Sequence, residues 1–98
     1  MTYRILFSLV TFQHSIHDIS PLLSSVSELA SLRRGEIDVE LYIYDNSLES
    51  QPEYSFLERM YTSFVLRYYH DGDNIGFGQG HNANAERATS SFDLIVVI

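Results

Sequence analysis

Three stretches of this 98-residue chain gather polar side chains densely enough to do chemistry. The first is Thr11-Phe12-Gln13-His14. The second, Asp45-Asn46-Ser47, sets a carboxylate beside an amide and a hydroxyl. In dinucleotide-binding folds an acidic residue after the second strand accepts hydrogen bonds from ligand hydroxyls. The same residue types also bond their own backbone in turns, so both readings stand. The third is Asn74-Ile75-Gly76-Phe77-Gly78-Gln79-Gly80-His81-Asn82, with glycine at every second position from Gly76 to Gly80. Backbone without a Cβ tolerates left-handed conformations and lets a nucleotide or sugar pack directly against it. A plain connecting loop is the competing reading.

Several familiar chemistries do not fit these residues. Gly76-x-Gly78-x-Gly80 lacks the G-x-G-x-x-G spacing of dinucleotide folds and the Gly-Lys-Ser/Thr ending of a phosphate-binding P-loop. Asp71-Gly72-Asp73 fails as a calcium loop, because Ile75 stands where an oxygen ligand belongs and Asn82 replaces the twelfth-position Glu. It reads first as a turn, with a metal-binding D-x-D as the alternative. His14 and His17 have no third ligand at metal spacing and read as surface or loop residues. His81, beside the glycine-rich segment, is placed to donate a hydrogen bond to an anion. No serine lies in a G-x-S-x-G setting. Without cysteine there are no disulfides, thiolate zinc sites or thiol nucleophiles.

Six Arg, no Lys and thirteen Asp plus Glu give a formal charge of −7, which leaves little counterion-release attraction for nucleic acid. Nucleic acid and anionic membrane surfaces are therefore not expected as primary partners. The apolar run Ile5–Val10 is too short for a signal core or a membrane span, and a cytoplasmic chain is expected.

Four β-favouring runs must hold these loops: Ile5–Val10, Val39–Tyr44, Phe64–Tyr69 and Leu94–Ile98. The first and last are continuously apolar, a pattern that suits strands covered on both faces. Between the first two, Ile19, Leu22, Leu23, Val26, Leu29 and Ala30 recur at helical spacing. Ser20-Pro21 reads as N-cap and first helical residue, and Arg33-Arg34-Gly35 as the helix end. A second helix is expected from Pro52, with Phe56, Leu57, Met60 and Tyr61 inward. A third is expected from Gly80 to Ala88. The order β-α-β-α-β-α-β predicts a single α/β domain over residues 1–98: a Rossmann-like three-layer α/β/α fold with a mostly parallel sheet and right-handed crossovers. Ligands of such sheets bind beyond the carboxyl ends of the strands, where all three polar stretches fall.

Three motifs in order, Thr11-Phe12-Gln13, Asp45-Asn46-Ser47 and Asn74 through Asn82, each follow a predicted strand. Together they resemble the nucleotide-binding N-terminal half of family-2 glycosyltransferases of the GT-A fold, and within it the rhamnosyltransferase-like branch that builds bacterial surface polysaccharides. The resemblance covers essentially the whole chain. It implies an inverting transferase using a nucleotide-diphosphate sugar, dTDP- or UDP-linked, and a saccharide or lipid-linked acceptor. It further implies nucleotide-binding roles for Thr11, Phe12, Asp45, Asn46, Asn74, Gly76, Gly80 and Asn82. Gln13 departs from the Asn usual in the family.

The family's divalent metal, Mg or Mn, is held by a D-x-D after the fourth strand, and its general base follows. Both are expected beyond Ile98, so the resemblance implies no catalytic or metal-binding residue within the chain and no turnover by the chain alone. A complete enzyme would be expected at the inner face of a membrane. An exposed fourth strand would also permit self-association. A stand-alone, non-catalytic nucleotide-binding or interaction module is the competing functional reading.

Overall fold

Runs of Ile, Val, Leu and Tyr form the sheet because branched and aromatic side chains fill a pleated surface well. The computed structural model describes residues 2–88 and 91–98. Its strands are β1 (Tyr3–Thr11), β2 (Ile37–Asp45), β3 (Val65–His70) and β4 (Leu94–Val97), and its helices α1 (Ile16–Leu32), α2 (Leu57–Met60) and α3 (Phe77–Arg87). The sheet order is β3-β2-β1-β4, and every neighbouring pair is parallel. The chain moves outward from β1 to β3 and then returns to the other side of β1, so the winding reverses between β1 and β4. The fold is the expected Rossmann-like α/β arrangement. The register puts Thr11 opposite Asp45 and Asp45 opposite His70, one row along the carboxyl edge of the sheet.

Strand alternation divides the side chains between two layers. Leu9, Val39, Leu41, Ile43 and Leu66 pack on one face against Ile19, Leu23, Val26 and Ala30 of α1, with Tyr54, Leu57 and Phe64 completing that core. The opposite parity, including Ser8, Val10, Tyr42 and Tyr44, meets α3. There Gly80 is the close-approach point: a Cβ on it would lie 2.7 Å from Val10 Cγ2.

The helices differ from the sequence reading in instructive ways. α1 starts at Ile16, and its N-cap is Ser15, not Ser20. Ser15 Oγ accepts from Asp18 N–H, and Asp18 Oδ2 accepts from Ser15 N–H at 2.9 Å, a reciprocal capping box. Pro21 consequently lies inside the helix. In the second crossover a 3₁₀ turn, Pro52–Phe56, runs into the one-turn α2. Tyr54 and Leu57 are its buried anchors, while Phe56 and Met60 face solvent, because the tighter turn rotates them away from the sheet. α3 begins at Phe77, three residues before the expected Gly80.

β4 is the second difference. Its continuous apolar sequence predicts cover on both faces, yet Leu94, Ile95 and Val97 are 55%, 45% and 57% exposed. Among the described residues it is an edge strand paired with β1, while α1 packs on β2, α3 on β1 and β2, and α2 on β3 at the opposite edge. No described helix is long and apolar enough to cross a membrane.

Candidate functional site

The loops leaving β1 and β2 border an open cavity of about 440 Å³ lined by Gln13, Ser47, Leu48, Glu49 and Gln51. Its position at the carboxyl edge follows from the sheet, since parallel strands deliver their following loops to one side. Gln13 is held there in the left-handed region, at φ 55°. Its N–H donates to Ser47 Oγ at 2.7 Å, joining the β1 loop to the β2 loop. Phe12, 45% exposed beside it, donates its N–H to His14 Nδ1 at 2.9 Å. His14 O in turn accepts from Gln51 Nε2 and the Tyr54 hydroxyl, both at 2.8 Å. Four side chains and two strand ends therefore fix one wall of the cavity.

Beneath that wall lies Asp45. Read from the sequence as an acceptor for ligand groups, it is wholly buried, and both oxygens serve the protein itself. Oδ1 accepts from Ser47 N–H at 2.9 Å, and Oδ2 accepts from the Tyr68 hydroxyl at 2.6 Å. The turn chemistry of Asp-Asn-Ser wins at this position. Burial, reinforced by the hydrogen bond to Asp45, raises the Tyr68 hydroxyl well above the ordinary tyrosine value. Tyr54 is pushed up to about 12, first by burial and then by the charge of Asp45. Thr11 is buried too, and its carbonyl accepts from Asn46 N–H at 2.8 Å. His70 Nε2 donates to Ser47 O at 2.8 Å, which fixes its tautomer.

Asn46 reaches to the glycine-rich segment. Its Nδ2 donates to Gly76 O at 3.2 Å, and its Oδ1 accepts from Ile75 N–H at 3.1 Å. Asn74 closes a local turn by accepting from Gly76 N–H at 3.0 Å. Gly76, at φ 87°, takes the conformation only glycine adopts freely and opens α3. The structure thus brings Asn46, Asn74 and Gly76 together by bonds within the chain itself. Gly80 packs against the sheet, and Asn82 is exposed on the outer side of α3.

His81 is not available to an anion: it is 8% exposed beneath α3. Its Nδ1 lies 2.6 Å from Ser8 Oγ. Asn84, absent from the sequence-derived candidates, is fully buried, and its Nδ2 faces Ser8 Oγ at 2.9 Å and the carbonyls of Leu9 and Tyr42 at 3.2 Å. Buried as it is, Ser8 has no path to a substrate, so the Ser8–His81 pair is structural. A serine amid the apolar run Ile5–Val10 was the available signal for a polar partner on the helix opposite.

A divalent cation finds no suitable donor set among the described residues, where no group of three or more His, Asp or Glu side chains converges. Asp71 is committed: it accepts from the Tyr44 hydroxyl at 2.9 Å and pairs with Arg87 at 3.2 Å, contacts that lower its pKa in that order. No family model, curated protein or solved structure matches the chain.

Proposed function

We propose that the carboxyl edge of this sheet binds the nucleoside end of a nucleotide-diphosphate sugar, as the donor-binding part of a glycosyltransferase acting on a saccharide or lipid-linked acceptor. The observation that carries this reading is the cavity of about 440 Å³ beyond β1 and β2, within the size range of small-molecule sites. Its lining supplies amides from Gln13 and Gln51, a hydroxyl from Ser47 and an apolar surface from Leu48. Amides and hydroxyls match the donors and acceptors of a nucleobase edge. Glu49 accepts from ribose hydroxyls but repels phosphate, so the diphosphate points away from it. The exposed Phe12 ring offers a stacking surface next to Gln13.

The order of the three motifs at three successive strand ends adds support, through their resemblance to family-2 glycosyltransferases. The described residues bring no three His, Asp or Glu side chains together for a cation, so the reading concerns binding of the nucleoside. Titration calorimetry with UDP, dTDP and uridine is the direct test. Saturable binding that survives removal of the phosphates and weakens in Glu49→Gln is expected. Absence of binding to all three overturns the reading.

A further inference from the structure

The buried polar chain under α3 has a direction that the bonding partners dictate. Asn84 Nδ2 donates to Ser8 Oγ, so the Ser8 proton is free to go to His81 Nδ1, 2.6 Å away. In the neutral tautomer that suits this arrangement, Nδ1 accepts and the proton sits on Nε2, a buried atom with no hydrogen-bond partner among the described residues. A second proton would land on Nδ1 itself. The Ser8–His81 hydrogen bond would then have to reverse, and the Ser8 proton would lose its acceptor. The imidazolium would also be buried at 8% exposure without a counter-ion.

Every charged or titratable group around it is committed elsewhere. The strands packed against α3 are β1 and β2. On that face they carry Arg4, Asp38, Glu40, Tyr42 and Tyr44, with Asp38 3.6 Å from Arg4. Glu40 takes Arg4 at 2.8 Å and the Tyr42 hydroxyl at 3.1 Å, while Asp71 takes Tyr44 and, from α3 itself, Arg87. Glu86, the remaining charge on α3, is exposed. Burial alone accounts for the lowering of the His81 pKa from 6.5.

We propose that the Ser8–His81–Asn84 chain is an acid-sensitive latch that holds α3 on the sheet and, through Gly76, holds the Asn74–Gly76 loop at the carboxyl edge. The mechanical link is short: Gly76 begins α3, and Asn46 grips both Ile75 N–H and Gly76 O. When α3 lifts, that grip is the contact placed under load. The sign follows from linkage. His81 binds its proton more weakly in the docked state, so docking is fully stable above pH 6.5 and weakens as pH falls below it.

Amide hydrogen exchange resolved by NMR, corrected for the intrinsic pH dependence of exchange, tests this in the full chain. Between pH 7.5 and 5.5 the opening constant of α3 amides is expected to rise by up to about tenfold, the limit set by the linkage of one proton. Ile75 N–H should follow α3, while α1 amides hold their protection. His81→Asn places an amide oxygen near the Nδ1 position, where it accepts from Ser8 and does not titrate; α3 protection should then be flat over the same range. An equal rise in His81→Asn overturns the proposal. Should that variant not fold, wild-type imidazole resonances decide: His81 must take up its proton together with the loss of α3 protection. Titration of His81 with α3 amides unchanged overturns the latch.

Discussion

The Tyr68 hydroxyl and Asp45 Oδ2 lie 2.6 Å apart, and this bond joins β3 to the end of β2 directly behind the wall of the cavity. Asp45 is wholly buried, so the bond shields a carboxylate oxygen that water does not reach. Tyr68→Phe keeps the ring and strands that oxygen. The expected cost is about 1–3 kcal/mol, the penalty of a buried polar atom left without a partner. A lowered midpoint in urea denaturation with an unchanged slope checks it. An unchanged midpoint would mean that Asp45 relaxes to another donor.

Alkaline stability follows from the same cluster. Tyr54 and Tyr68 hold their protons more tightly in the folded chain than at the ordinary value of 10. Their contribution to stability is whole below pH 10 and is lost as pH climbs through the folded value, about 12 for Tyr54. The phenolate absorbance of these two residues is expected to appear only together with loss of far-ultraviolet circular dichroism. Tyr54→Phe should make the stability curve flatter above pH 10. A Tyr54 phenolate signal within intact protein would contradict this.

Two glycines of α3 should respond in opposite directions. At Gly80 a Cβ would meet Val10 Cγ2 at 2.7 Å and Cγ1 at 3.1 Å, so either the valine or the helix must move. Gly80→Ala is expected to destabilise by about 1–3 kcal/mol, the usual cost of overpacking. At Gly78 nothing lies within 4 Å of the added carbon. Gly78→Ala is expected to stabilise by about 0.4–1 kcal/mol, because alanine restricts the unfolded chain. Thermal denaturation of the pair reads both signs at once.

Ser20-Pro21 shows why some boundaries were legible and others were not. A serine before a proline has the residue types of an N-cap and first helical position, but Ser15 and Asp18 form the reciprocal cap and extend α1 by more than a turn. Local types define both possibilities; only the docking of Ile19 and its neighbours selects one. Pro21 then withholds an N–H inside the helix. Ser15→Ala is expected to cost about 1 kcal/mol through loss of the cap. Pro21→Ala should restore a helical hydrogen bond and raise the melting temperature. A lower melting temperature for Pro21→Ala would show that unfolded-chain entropy dominates there.

The strands and the loop cluster were readable because β-branched runs and the polar clusters at their ends are local signals. Roles within the cluster were not. Asp45 and Asn46 sit where the sequence places them, yet Tyr68 and Ile75 engage them from 23 and 29 residues away. Asn84 is equally hidden, since its acceptors on β1 and β2 lie up to 76 residues distant. A side chain's residue type does not reveal whether its partner is a ligand or the chain itself. Side chains that still face a cavity after the fold is satisfied are the better candidates, and Gln13 is the clearest of them.

Gln13 therefore carries the sharpest separation of stability from binding. Its φ of 55° costs an L-residue about 1–2 kcal/mol, while glycine forfeits about 0.5–1 kcal/mol of backbone entropy. Gln13→Gly should raise stability by up to about 1.5 kcal/mol as the difference of these terms, since the N–H bond to Ser47 Oγ is retained. It also removes an amide from the cavity, so affinity for uridine and UDP should fall several-fold. Gln13→Asn, which tolerates the left-handed conformation and keeps a shorter amide, should recover part of that affinity. Denaturation and calorimetry on the same three proteins test the two effects separately. If Gln13→Gly binds as tightly as the parent chain, the amide does not contact the nucleoside and the base lies elsewhere along the edge.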